Sequence, residues 1–115
     1  MEAHLDIVSN CQEGAVVALL NGRLDANQIP AFDQWLDQQL DAQENTLVLD
    51  MSGLSYISSS GLRVILTLAK EMERRQRRLI ICGLFGMVRE VFMVSGFMEI
   101  FTICHTVDEA LSHAA

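Results

Sequence analysis

The chain has 115 residues, half of them hydrophobic, with 15 acidic against 8 basic side chains and a net charge of -7 at pH 7. That balance excludes the nucleic-acid-binding class, which relies on lysine and arginine to neutralise phosphates. The length suits a single domain over residues 1–115, large enough to bury roughly two-thirds of its unfolded surface.

In chain order, His4 to Ser9 reads as an edge strand and Asn10 to Gly14 as a polar turn. Ala15 to Leu20 is an apolar strand, closed by the turn pair Asn21-Gly22 and followed by Arg23-Leu24-Asp25. Ile29, Phe32, Leu36 and Leu40 recur at helical spacing, with Pro30 confined to the first turn, where its missing N–H has no helical partner to lose. Thr46 to Met51 is the central strand, and Asp50-Met51-Ser52-Gly53 reads as the loop at its end. Ser58, Ser59, Ser60 and Gly61 then open an amphipathic helix with Leu62, Ile65, Leu66, Ala69 and Met72 on one face. Arg78 to Cys82 is a further strand, and Phe85, Val88, Val91, Phe92 and Ser95 form a helical stripe stopped by Gly96. Ile100 to Cys104 reads as the last strand, before a short helix from about Val107 to His113. Apolar runs alternating with helical stripes predict an α/β fold, a mixed β-sheet with about four packed helices, with Leu47, Val48, Leu49, Ile80 and Ile81 in its interior strands.

No apolar run reaches the ~18 residues of a membrane helix, and the opening Met-Glu-Ala-His-Leu-Asp lacks the regions of a signal peptide. A cytoplasmic protein without membrane insertion is expected, with Cys11, Cys82 and Cys104 as buried reduced thiols. Arg74, Arg75, Arg77 and Arg78 concentrate half of the basic residues. They read as a solvated helix end, with an acidic partner as the alternative.

Enzymatic constellations are weak, and no catalytic residue, metal ligand set or cofactor is expected. Gly53-Leu54-Ser55-Tyr56-Ile57 begins like a nucleophile elbow but has Ile57 where the second glycine belongs. His4, His105 and His113 have no catalytic context, Cys104-His105 lacks further zinc ligands, and there is no phosphate loop ending in Gly-Lys-Ser/Thr. Asp25 and Asp50 flank the central strand and either approach the serine turn or act as turn-forming carboxylates, the latter favoured for Asp50. The serine turn is the chemically suggestive feature. It sets hydroxyls beside the free N–H groups and positive dipole end of a helix, where a cap or a phosphate is favoured. Along that helix Arg63, Thr67, Lys70 and Arg74 share the polar face, whereas Val64 lies off the core stripe, as Met93 does on the next helix. Both are candidates for a contact surface.

The run Asp50-Met51-Ser52-Gly53-Leu54-Ser55-Tyr56-Ile57-Ser58-Ser59-Ser60-Gly61-Leu62 resembles the signature of STAS domains, in particular the bacterial anti-sigma factor antagonists. Gly22-Arg23-Leu24-Asp25, Val94-Ser95-Gly96-Phe97 and Thr106-Val107-Asp108-Glu109-Ala110-Leu111 extend the match, in order, over nearly the whole chain. The resemblance implies a regulator that docks, unphosphorylated, on an anti-sigma factor with serine kinase activity. Phosphorylation would release it, and a serine phosphatase would reset it. The family's acceptor corresponds to Ser59; Ser58 stands where that family commonly has an acidic residue and is the rival acceptor. Asp25 matches the family's carboxylate near the acceptor, and Ser60, Gly61, Arg63, Val64 and Thr67 are the expected neighbours or partner contacts. Three alternatives stand beside this reading: a non-phosphorylated STAS subunit of a larger signalling or transport complex, a small hydrolase using Ser59, and a nucleotide-sensing module.

Overall fold

The computed structural model describes residues 4–114. It contains a five-stranded sheet in the order β1 (Leu5–Gln12), β2 (Ala15–Leu24), β3 (Thr46–Ile57), β4 (Arg78–Cys82) and β5 (Thr102–Cys104). Only β1 is antiparallel to its neighbour, so the sheet is mixed as expected. The helices are α1 (Ile29–Leu40), α2 (Ser59–Arg74), α3 (Gly86–Val94), the one-turn α4 (Phe97–Ile100) and α5 (Val107–Ala114).

Alternation along the strands divides the core in two. Val16, Ala18 and Leu20 of β2, Leu47, Leu49 and Met51 of β3, and Leu79 and Ile81 of β4 share one cluster with α1, α2 and α3. Ala15, Val17, Val48, Ile80, Cys82 and Cys104 face the other way, where Ala110 and Leu111 of α5 cover them. Strands covered on both faces need no polar alternation, which is why these segments are continuous apolar runs. Leu47, Val48, Leu49, Ile80 and Ile81 are all buried interior positions, as expected.

Several boundaries differ from the sequence expectation. The first strand continues to Gln12, and the turn shrinks to Glu13-Gly14. Both turn residues have positive φ, 50° and 81°, the combination whose twist matches a two-residue hairpin. Asn21-Gly22 is no turn but part of β2, and Asp50 to Gly53 is no loop but part of β3. The pairing steps from Leu19↔Asp50 to Asn21↔Gly53, and from Gly22↔Leu54 to Arg23↔Tyr56. Each step places an extra residue in β3. These bulges let Met51, Leu54 and Ile57 all point into one core although they are three residues apart. A period of three disguises a strand.

At the far end, Gly96 takes the left-handed conformation that stops α3, as expected. The chain then forms α4 before the last strand, which begins at Thr102 rather than Ile100. Phe97 and Phe101 close on Phe92, with ring centroids 5.5–6.0 Å apart. Cys82 and Cys104 are buried free thiols, but Cys11 is exposed, contrary to expectation, because the longer β1 carries it onto the hairpin. Its Sγ donates to Glu44 Oε1 at 3.1 Å, which raises the thiol and lowers the carboxyl pKa.

Candidate functional site

The ends of β2 and β3 meet at the serine turn. The Ser58 N–H donates to the Leu24 carbonyl at 2.9 Å, tying the start of α2 to the residue before Asp25. Ser58 is extended, with φ -88° and ψ 169°, and is the N-cap of α2. Its Oγ accepts the Gly61 N–H at 3.1 Å and lies 2.9 Å from Ser60 Oγ. Gly61 is required by space here. An added Cβ would lie 3.0 Å from Leu24 O, Leu24 Cγ and Ile57 Cγ1, because the first turn of α2 presses onto the sheet end.

Ser59 is different. It is the first helical residue, it is exposed, and its hydroxyl has no partner among the described residues. The first turn of α2 contains no acidic residue, so beyond the Gly61 N–H taken by Ser58 no side-chain charge offsets its positive dipole end. The hydroxyl that is free to react is thus placed where added negative charge is best tolerated.

Asp25 sits at the end of β2, half-buried, and caps the single 3-10 turn Ala26–Gln28. Its Oδ1 accepts the Asn27 N–H at 3.0 Å, and its own N–H donates to Gln28 Oε1 at 3.3 Å. Arg23 Nε lies 4.0 Å from Asp25 Oδ2, and the Arg23 guanidinium stacks 4.1 Å above the Tyr56 ring. The sequence shows Arg23 and Tyr56 only in separate runs, since the register shift that pairs them is invisible in the chain order. Asp50 accepts the Ser52 N–H at 2.9 Å, the local backbone bond expected of it, but within the bulged strand rather than in a turn. Ser55, the centre of the elbow-like run, lies in β3 and donates to Gly22 O at 3.0 Å.

The structure therefore groups Asp25, Ser58, Ser59, Ser60 and Gly61 at one end of the sheet. Arg63 and Thr67 are exposed further along α2, and Thr67 Oγ1 donates to the Arg63 carbonyl at 3.0 Å. Val64 is corrected: it is half-buried against the core cluster, beside α1. The core face of α2 also includes Leu68, which the sequence reading omitted, while Leu66 and Ala69 are only half-buried. Met93 is exposed with Phe85, Met87 and Val94, all on α3 or at its start.

The arginine run is corrected in one member: Arg74, Arg75 and Arg78 are exposed, as expected of a solvated helix end, but Arg77 is not. Arg77 is half-buried and gives its guanidinium to carbonyls of Gln39, Leu40 and Glu44, at the C-terminus of α1 and beyond. Arg75 donates to Leu40 O and Glu71, Arg74 to Glu71, and Arg78 to His113 O. Bonds from Arg74 and Arg75 hold the Glu71 carboxyl down at about 2. Arg75, Arg77 and Arg78 thus bond to other elements of the fold, while Arg74 reaches only Glu71 of its own helix.

No group of three or more His, Cys, Asp and Glu side chains that could hold a metal occurs among the described residues. No helix among them is long and apolar enough to cross a membrane.

Comparison with known proteins places this geometry among relatives. Residues 6–110 match the family model of the STAS domain. BtrV of Bordetella bronchiseptica, provisionally assigned as an anti-sigma factor antagonist, is 39% identical over 98 residues, covering 85% of this chain and 84% of that protein. The crystal structure of an anti-sigma factor antagonist from Mycobacterium paratuberculosis superposes with a TM-score of 0.87 at 19% identity, over 96% of this chain and 93% of that one. SpoIIAA of Bacillus in its phosphorylated form gives a TM-score of 0.72 at 22% identity, over 97% of this chain and 100% of that one. At these identities the two structures speak for the fold alone.

Proposed function

The chain belongs to the STAS domain family, and on that premise we propose that it is an anti-sigma factor antagonist switched by phosphorylation of Ser59. Unphosphorylated, it binds an anti-sigma factor with serine kinase activity; the kinase transfers a phosphate to Ser59, the complex parts, and a serine phosphatase restores the binding form. The observation that carries this reading is the division of labour between neighbouring serines. Ser58 spends its oxygen on the Gly61 N–H and on Ser60, whereas Ser59 is exposed with a free hydroxyl. Transfer to Ser58 would have to take an oxygen already engaged by the Gly61 N–H and Ser60, whereas on Ser59 about 1.5 to 2 negative charges are added without breaking a bond. The helix N-terminus stabilises that charge in the free protein, while an interface that must desolvate it is destabilised.

Support for the partner is the relationship to BtrV, and support for the modification is that SpoIIAA, of the same fold, is known in a phosphorylated form. The protein itself acts as ligand and substrate, with no chemistry of its own. Affinity capture with wild type and Ser59→Asp in parallel identifies the partner as the protein retained only by the former. Incubation with that kinase and ATP should then place the phosphate on Ser59 by mass spectrometry. Ser59→Ala should bind but resist release by ATP, and Ser58→Ala should still be released. Phosphate on Ser58 would move the assignment by one residue. Modification of neither, with both alanine variants behaving as wild type, would replace the switch by a constitutive subunit of a larger complex.

A further inference from the structure

α1 and α2 follow parallel strands, so they start at the same end of the sheet and run side by side. Between them lies an open groove of about 320 Å³. Its floor is apolar: Leu36 and Leu68 are buried, and Leu40 and Val64 half-buried. Its α1 rim carries Asp33 and Asp37, both exposed and neither with a partner among the described residues. One turn apart on the same helix, these carboxylates repel each other. α1 contains no lysine or arginine to offset them. On the α2 rim, the Glu71 carboxylate is taken by Arg74 and Arg75, and Arg75 also bonds Leu40 O. The groove thus combines an apolar floor with two uncompensated negative charges. Val64, at its near end, is five residues along α2 from Ser59, roughly 7–8 Å of helical rise.

We propose that this groove docks a cationic amphipathic helix of the anti-sigma factor, seating an apolar side chain between Leu36, Leu40, Val64 and Leu68 while lysines or arginines pair with Asp33 and Asp37. The identity of the partner rests on the function proposed above; the groove's preference for a basic helix does not. A cationic helix satisfies both features at once, whereas an acidic one adds a third repulsion on that rim. Docking here is continuous with the serine turn, so partner binding spans a permanent anchor along α2 and a switchable contact at its start.

The test uses the full chain and two synthetic helical peptides of the same length, one of leucine and lysine, the other of leucine and glutamate. In NMR titrations the leucine–lysine peptide should shift the methyl resonances of Leu36, Leu40, Val64 and Leu68, and its affinity should fall with salt. The Asp33→Asn/Asp37→Asn double variant should bind it at least tenfold more weakly. The Asp6→Asn/Glu13→Gln double variant, with the same charge change on the β1–β2 hairpin, should bind within twofold of wild type. Ser59→Asp should also bind the peptide within about twofold, because the groove lies beyond the switch. The inference is overturned if neither peptide binds, if the leucine–glutamate peptide binds as well, if the shifts fall elsewhere, or if the two double variants behave alike. A groove that binds the basic peptide in a protein no kinase modifies would retire the switch and keep the groove. Phosphorylation at Ser59 with no peptide binding would do the reverse.

Discussion

Ser58 and Ser59 have different chemistry because one stands just outside the helix and the other just inside it. The cap residue has extended backbone angles, and its side chain folds over the first turn to accept an N–H. The next residue already has helical angles, and its hydroxyl projects into solvent. Stability should therefore separate the pair in the direction opposite to function. Ser58→Ala should cost about 1 kcal/mol in urea unfolding through loss of the cap, whereas Ser59→Ala should stay within about 0.5 kcal/mol of wild type. Equal losses from the two substitutions would mean that the cap is shared or misassigned. The serine cluster and its place before a helix were legible from the residue types. Which hydroxyl is free was not, because it depends on the φ and ψ of Ser58 and on the distances to Gly61 and Ser60.

The elements are joined at their ends by hydrogen bonds the sequence reading did not foresee. α2 ends with Gln76 at φ 59°, and the N–H groups of Gln76 and Arg77 return to the Glu73 and Met72 carbonyls at 2.9 and 2.8 Å, satisfying carbonyls that the last turn would leave open. The same reversal turns the Arg77 side chain toward α1, where its planar fork reaches three carbonyls. Arg77→Ala should destabilise the fold by about 2–3 kcal/mol, since charged donors to partly buried carbonyls would be lost together. Arg77→Lys should recover only part of that, because an ammonium cannot span the same fork. Arg74→Ala removes only an exposed, solvent-screened ion pair with Glu71 and should leave stability close to that of wild type. Chemical denaturation of the three variants would decide it, and similar values for Arg77→Ala and Arg74→Ala would return the whole run to the solvent.

At the scale of the molecule, the sheet carries unequal covers, α1 to α4 on one face and α5 alone on the other. Cys82 and Cys104, register partners on β4 and β5, lie beneath that thinner cover. Burial, then the charge of Asp50, pushes the Cys82 thiol from its ordinary 9.0 up to about 12, and burial raises Cys104 in the same direction. Between these values the unfolded chain ionises its Cys82 thiol while the folded chain keeps it protonated, so unfolding releases a proton. Stability present below pH 9 is therefore lost as pH rises toward 12, by up to about 1.4 kcal/mol per pH unit from this group. Cys82→Ala should be less stable at neutral pH yet show a shallower alkaline decline. An unchanged slope would mean that the thiol is ionised in the folded state.

The sequence by itself determined the α/β class, the interior strands, the stop at Gly96 and the serine turn. Each rests on a local property: apolar runs, helical spacing, the freedom of glycine to adopt positive φ, and the preference of serine for helix N-termini. What only the tertiary structure decided depends on groups distant in the chain. The bulges that turn Asp50 to Gly53 into strand exist because β3 carries more residues than the β2 segment it pairs with. Arg75 and Arg77 become fasteners because the C-terminus of α1 and the loop after it lie against the end of α2. Val64, apolar and off the core stripe of its own helix, is half-buried because α1 packs beside it. Nothing in the sequence singles out Asp33 and Asp37, two polar residues one turn apart on an amphipathic helix. They become the rim of a groove only when a second helix supplies the other wall, because a helix records which of its own residues share a face but not what is packed against that face.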